Sequence, residues 1–181
     1  GDRFTLAGDD GACPYFWPIG DRHLLLFFSH MSGGQYLLGD YDTERDRFMA
    51  TAHGKFNFGA STPSGVHAPS ATPDGEDVIA IFNMNPGKTT GEWNQIMTLP
   101  RRLTLVGEEE LTVEPAGDIE SLRTSHRRVG ERKLPANEEV VLEGIDGKAM
   151  EIQTELEHNG VPALELNVLR SPDGEERTRI P

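Results

Sequence analysis

The chain has 181 residues, with 17 Lys and Arg against 30 Asp and Glu, a formal net charge of -13 at pH 7. That length holds one domain or two small ones with a sizeable core, and the acidic balance argues against a surface that tracks nucleic-acid phosphates with clustered cations. No segment reaches the roughly 18 continuous apolar residues of a membrane span, the single cysteine excludes an internal disulfide and leaves the compartment open, and Gly1-Asp2-Arg3-Phe4 does not read as a signal peptide.

In chain order, Phe4-Thr5-Leu6 is a short strand candidate. Gly8 to Gly20, with Asp9, Asp10, Cys13, Pro14, Tyr15, Trp17 and Pro18, reads as a loop. It feeds the most apolar run in the chain, His23 to Ser29, a strand buried on both faces. Cys13, Tyr15 and Trp17 are read first as packing at a strand entry, because a free cysteine is usually a small buried hydrophobe. Gln35 to Tyr41 and Arg47 to Thr51 are further strands around the charged turn Asp42 to Asp46. Gly54 to Gly65 is loop-like, and His67 to Thr72 begins another unit. Pro73-Asp74-Gly75 is a turn by residue type, Val78 to Phe82 a second buried strand, and Pro100 splits strands at Ile96–Leu99 and Arg102–Leu105. Leu111 to Glu114 follows an acidic turn. Pro14 to Asp42 and Pro69 to Leu105 form a loose repeat, each a Pro-bearing entry, a buried strand, a Gly-rich turn and short strands.

The run Arg123 to Arg128 is basic in an acidic chain and reads as a short helix or a solvated connector. Beyond it, Glu139–Glu143, Ala149–Leu156 and Ala163–Leu169 alternate polar and apolar residues, the pattern of half-buried antiparallel strands. Ser171-Pro172-Asp173-Gly174 is a hairpin-type turn. Four of the six histidines, His23, His30, His53 and His67, fall early in the chain without zinc-ligand spacing. There is no phosphate-cradling Gly-rich loop and no Gly-x-Ser-x-Gly elbow.

Three segments share a resemblance. Cys13-Pro14 with Phe16-Trp17-Pro18 resembles the Glu-Cys-Pro region of glycoside hydrolase family 32, the invertases, levanases and inulinases. Gly91-Glu92-Trp93 through Leu99-Pro100-Arg101-Arg102-Leu103 is similar to that family's Trp and Ser-Leu-Pro-Arg-Glu-Leu segment. Pro115 to Arg123, ending Glu120-Ser121-Leu122-Arg123, is similar to its link into a β-sandwich. The resemblance implies an all-β chain: the later blades of a five-bladed β-propeller over 1–118, a linker over 119–133 and part of a β-sandwich over 134–181. It implies a parent that hydrolyses β-fructofuranosides such as sucrose or fructans, with retention and without a cofactor, its N-terminal blades lying outside these 181 residues. The partner implied is a carbohydrate; nucleic acid and membrane are not expected.

Retaining glycosidases need two carboxyl groups about 5 Å apart. The family's nucleophile lies in Asn-Asp-Pro, its transition-state stabiliser in Arg-Asp-Pro and its acid/base in Glu-Cys. Neither Asp motif occurs in this sequence, and Ala12 precedes Cys13 where the Glu is usual. Asp10, two residues earlier on the same side of an extended segment, is the substitute acid/base candidate; the plainer reading gives Asp9 and Asp10 to the turn. Phe56-Asn57-Phe58-Gly59 followed by His67-Ala68-Pro69 resembles the family's Asp-x-Gly and Tyr-Ala-Pro-Gln region. Cys13, Tyr15, His67 and Asn83 are the substrate-binding candidates, with His67 where a Tyr is usual and Asn83 where a Trp is usual. Trp17 and Trp93 either stack on a sugar or pack. Ala12 also favours a non-catalytic carbohydrate-binding member, and Ala12, His67 and Asn83 together a different sugar substrate.

Overall fold

The computed structural model of the protein describes residues 8–56, 65–85, 91–157, 160 and 163–180; Phe4-Thr5-Leu6 and Asn57-Phe58-Gly59 lie outside these. The described residues are all-β apart from one short 3-10 helix, Ile119–Leu122. Contacts divide the chain into two units, Gly1–Arg123 and Thr124–Pro181.

The first unit holds two antiparallel sheets. One is the meander β1 (Ala12–Ile19), β2 (Arg22–Ser29), β3 (Gly33–Asp42) and β4 (Arg47–Lys55). The other runs β5 (Gly65–Asp74), β6 (Asp77–Asn85), β8 (Arg101–Val106) and β9 (Glu110–Pro115), with the two-residue β7 (Ile96–Met97) also paired to β6. Strand β2 is buried on both faces, as its unbroken apolar run requires.

The segment expected as a loop, Gly8 to Gly20, is for the most part strand β1. Its two prolines suit an edge strand, where a missing N–H breaks no ladder, and β1 is the edge of its sheet. The other loop-like feature, Cys13-Pro14, is a bulge: Ala12 pairs with Phe28 and Tyr15 with Leu26, leaving one residue too many on β1. Strand β5 repeats the device. His67 pairs with Asn83 and Ser70 with Ile81 around Ala68-Pro69. In both bulges the residue before proline is left-handed, with Cys13 at φ 51 and Ala68 at φ 46. The loose repeat in the sequence is thus a repeated backbone shape.

The core lies between the sheets. Leu24, Leu26 and Leu38 from the first meet Val78, Ala80, Phe82 and Leu103 from the second, closed by Ile19, Phe56 and Val66. Polar ties reinforce it. Trp17 Nε1 donates to the Ala71 carbonyl at 3.1 Å, and Gly20 N to the Glu76 carbonyl at 2.7 Å. Buried Arg22 sends Nη1 to the Glu108 carbonyl (2.9 Å) and Nη2 to Thr51 Oγ1 (2.6 Å). Its Nε lies 2.9 Å from Asp40 Oδ1, an ion pair without an aligned hydrogen bond.

In the second unit the structure pairs only β10 (Leu166–Val168) with β11 (Thr178–Ile180) among the described residues. The turn between them is held by Ser171 N to the Glu176 carbonyl (2.8 Å) and Gly174 N to the Ser171 carbonyl (2.9 Å). The strands expected at 139–143 and 149–156 are not formed, and that expected at 163–169 is reduced to β10. Alternation marks a face that wants covering, but a strand also needs a ladder partner. Val141, Ile152 and Leu156 instead remain exposed.

Two substitutions test the packing. Leu26→Ala, which empties a fully buried position, is expected to cost about 2–5 kcal/mol. Gly39→Ala would place a Cβ 2.2 Å from the Met49 carbonyl oxygen and is expected to cost as much as overpacking does, about 1–3 kcal/mol or more. Urea denaturation of the purified chain measures both; a loss under about 0.5 kcal/mol in either, the level of an ordinary surface change, contradicts the packing described.

Candidate functional site

The two bulged strands carry their first residues to one rim of the unit, where most of the polar candidates gather. Two hydrogen-bonded groups sit beside Ala12. The first centres on Asp9. Ser29 Oγ donates to Asp9 Oδ1 at 2.7 Å, and Ser32 Oγ donates to the same oxygen. Gln35 Nε2 donates to Ser32 Oγ, and His53 Nε2 reaches Gln35 Oε1 at 2.6 Å. Because an amide oxygen only accepts, His53 carries its proton on Nε2. Ser29 and Gln35 are almost wholly buried, so this chain satisfies groups that would be costly to leave alone. The second group is Asp10 with His30. Asp10 Oδ1 accepts the His30 backbone N–H at 2.8 Å, and Oδ2 lies 2.6 Å from His30 Nδ1.

Beside these, Phe28 links the sheets. Its ring centroid is 5.1 Å from that of His30 and 5.1 Å from that of His67. Asn83 Nδ2 lies 3.4 Å from His67 Nε2 and donates to Gln95 Oε1. His67 Nδ1 is buried without a hydrogen-bond partner among the described residues. Asp10, His67 and Asn83 are therefore brought into one line, Asp10–His30–Phe28–His67–Asn83. Tyr15 is half-buried and packs on the inter-sheet core. Cys13 is exposed at the bulge, which corrects its expected burial: a left-handed residue in an edge bulge turns its side chain out of the pleat. Trp17 packs and donates to Ala71, while Trp93 is half-exposed. A shallow hollow of about 280 Å³ opens beside Asp9 and Asp10, floored by Leu25, Phe27 and Leu37. Among the described residues no three His, Cys, Asp or Glu gather to hold a metal ion.

Sequence reasoning weighed His30 and His53 only as zinc ligands and passed over Ser32 and Gln35. The available signal was the polar turn Ser29 to Gly34 interrupting an apolar hairpin opposite Asp9-Asp10; its meaning depends on the register that sets position 10 across from position 30.

Charge follows from these contacts. The hydrogen bond from the His30 side chain, then that from its backbone, holds the Asp10 carboxyl below the usual range. Burial lowers His67, assisted by the charge of His30, and burial foremost lowers His53. Both imidazoles have folded pKa values below the ordinary 6.5. As pH falls below 6.5 the unfolded chain therefore takes up protons that the folded one refuses, and stability drops; above it their contribution is flat. Asp10 has the carboxylate sign: its contribution is present above its ordinary 3.8 and lost as pH falls through the lower folded value. The urea midpoint should be lower at pH 5.5 than at pH 7.5. The double change His53→Gln and His67→Gln should flatten that slope, and an unchanged slope in the double variant would contradict the assignment.

No protein-family model matches the sequence, and no curated protein matches it. Among solved structures, the chain is similar to a Bombyx mori GH32 beta-fructofuranosidase, BmSUC1, with a TM-score of 0.52 and 20% sequence identity over 64% of this chain and 27% of that one. A mutant of the same enzyme in complex with sucrose gives a TM-score of 0.53, also at 20% identity, with the same coverage. The chain thus spans about a quarter of the length of the enzyme it matches. Over the aligned part it is a piece of a GH32-like fold.

Proposed function

We propose that this chain is part of a glycoside hydrolase acting on β-fructofuranosides, sucrose or fructans, with Ala12 where the usual acid/base Glu would stand. The observation that carries the reading is the convergence of the two bulged strand starts, Ala12-Cys13-Pro14 and His67-Ala68-Pro69, on one polar rim. The fold likeness to a β-fructofuranosidase supports it. In this reading the two sheets are neighbouring propeller blades, residues 1–118 are the propeller portion, 119–133 a linker and 134–181 the start of a β-sandwich. Cys13, Tyr15, His67 and Asn83 border the sugar, with His67 and Asn83 offering polar atoms to its hydroxyls. The nucleophilic carboxylate belongs to blades outside these residues, and no cofactor takes part.

A second reading is favoured by one observation. Asp10, the nearest carboxyl to Ala12 along the chain, is committed to His30 and held ionised. An ionised carboxylate has no proton for a leaving group, which suits a carbohydrate-binding member without turnover, or one adapted to another sugar.

The test is fructose release from sucrose and inulin, measured for the 181-residue chain and for the full-length protein. The chain alone should release none, because neither standard Asp motif is within it, and the full-length protein should release fructose. Turnover by the chain alone that a point change within it abolishes would contradict the need for other blades. Sugar binding by calorimetry without turnover in the full-length protein would favour the second reading.

A further inference from the structure

We infer that His30, gripped by Asp10, is the proton-transferring group of this site and does the work for which Ala12 has no side chain. The inference rests on the glycoside-hydrolase reading above. The geometry begins at the last pair of the β1–β2 ladder, Ala12 with Phe28. Two residues beyond that pair, just outside both strands, stand Asp10 and His30, joined by two hydrogen bonds of 2.8 and 2.6 Å. A carboxylate oxygen on Nδ1 accepts, so Nδ1 carries a proton in either charge state of the ring. The other nitrogen, Nε2, is then the one that gains and loses a proton. The His30 side chain is 67% exposed, and Nε2 has no hydrogen-bond partner among the described residues.

Position matters as much as tautomer. The Phe28 ring touches both His30 and His67, each at 5.1 Å between centroids. The proton donor and the His67–Asn83–Gln95 group, which offers hydrogen bonds to sugar hydroxyls, thus meet around one shared ring. The neighbouring titratable groups are otherwise engaged: Asp9 with Ser29 and Ser32, His53 with Gln35. Asp10 itself is kept ionised by the same contact that orients the ring. Asp10 is therefore a positioning residue and His30 the catalytic one.

The step balances as follows. Protonated His30 gives its Nε2 proton to the glycosidic oxygen as the bond from that oxygen to the anomeric carbon breaks. The bonding pair stays on the oxygen, which leaves as a neutral alcohol, and a carboxylate nucleophile from the rest of the propeller bonds the anomeric carbon. In the second half, neutral Nε2 takes a proton from water as the water oxygen bonds that carbon and the carboxylate leaves. The imidazolium is restored.

The experiment uses the full-length protein and two substrates, sucrose and nitrophenyl β-fructofuranoside. General acid catalysis contributes about 10²–10⁴-fold, and a nitrophenolate leaves with little need of it. His30→Gln should lower kcat on sucrose by about 10²-fold or more and on the nitrophenyl substrate by less than about 10-fold, with an unchanged sugar affinity and a protein that remains folded at the assay temperature. Asp10→Asn should give a smaller loss with the same leaving-group selectivity, and Asp10→Glu should recover part of it. A merely structural role would depress both substrates together. If the wild type turns over sucrose and His30→Gln leaves it unchanged or slows both substrates equally, the inference is overturned while the glycosidase reading stands. If the wild type hydrolyses neither substrate, the glycosidase reading fails and the inference with it.

Discussion

The structure depends on one strand being apolar on both sides. β2 lies inside its sheet between β1 and β3; one of its faces is wholly buried and the other is largely covered. Leu24 and Leu26 enter the core shared with the second sheet, while Leu25 and Phe27 floor the hollow beside Asp9 and Asp10. Such a strand cannot slip by one residue without exchanging its two faces. Its register therefore fixes where its ends fall. At one end Arg22 reaches Thr51 on β4, Asp40 on β3 and the carbonyl of Glu108. At the other, Ser29 and His30 meet Asp9 and Asp10. The polar rim is in this sense a by-product of hydrophobic registration.

The two acidic residues at that rim show how neighbours in sequence acquire different characters. Asp9 accepts from Ser29, which is buried, and from Ser32, and so belongs to the scaffold that holds the Ser29–Gly34 turn. Asp10 faces solvent and grips a solvent-facing imidazole. The same charge satisfies an interior in one case and orients a reactive ring in the other.

Much of the fold was legible because burial leaves a pattern. The apolar runs His23 to Ser29 and Val78 to Phe82 became the central strands β2 and β6, and the Pro-bearing entries became matching bulges. What escaped was what depends on partners. β1 looked like a loop because Pro and Gly obscure a strand that is tolerated only at an edge. The tail alternates convincingly, yet residues 139–143 and 149–156 find no ladder among the described residues. The Asp10–His30 contact spans a hairpin, and no local property of either residue announces it. Cys13 was expected inside on the strength of its side chain; the backbone bulge, with φ at 51, decided otherwise.

The matching bulges also define equivalent positions: Leu26 of the first sheet corresponds to Ile81 of the second, since both pair with the residue just after the bulge. Leu26 lies in the shared core, whereas on the second sheet Ala80 and Phe82, the neighbours of Ile81, do so. The sheets therefore stack front to back, like a head-to-tail subunit contact, and not front to front. Such a stack is polar: its two outermost faces are unlike, and no two-fold axis can make one cap the other. A second copy related by such an axis would bring like face against like face, a contact this packing does not contain, whereas repetition of the same step extends the stack and finishes only where the accumulated rotation closes a ring.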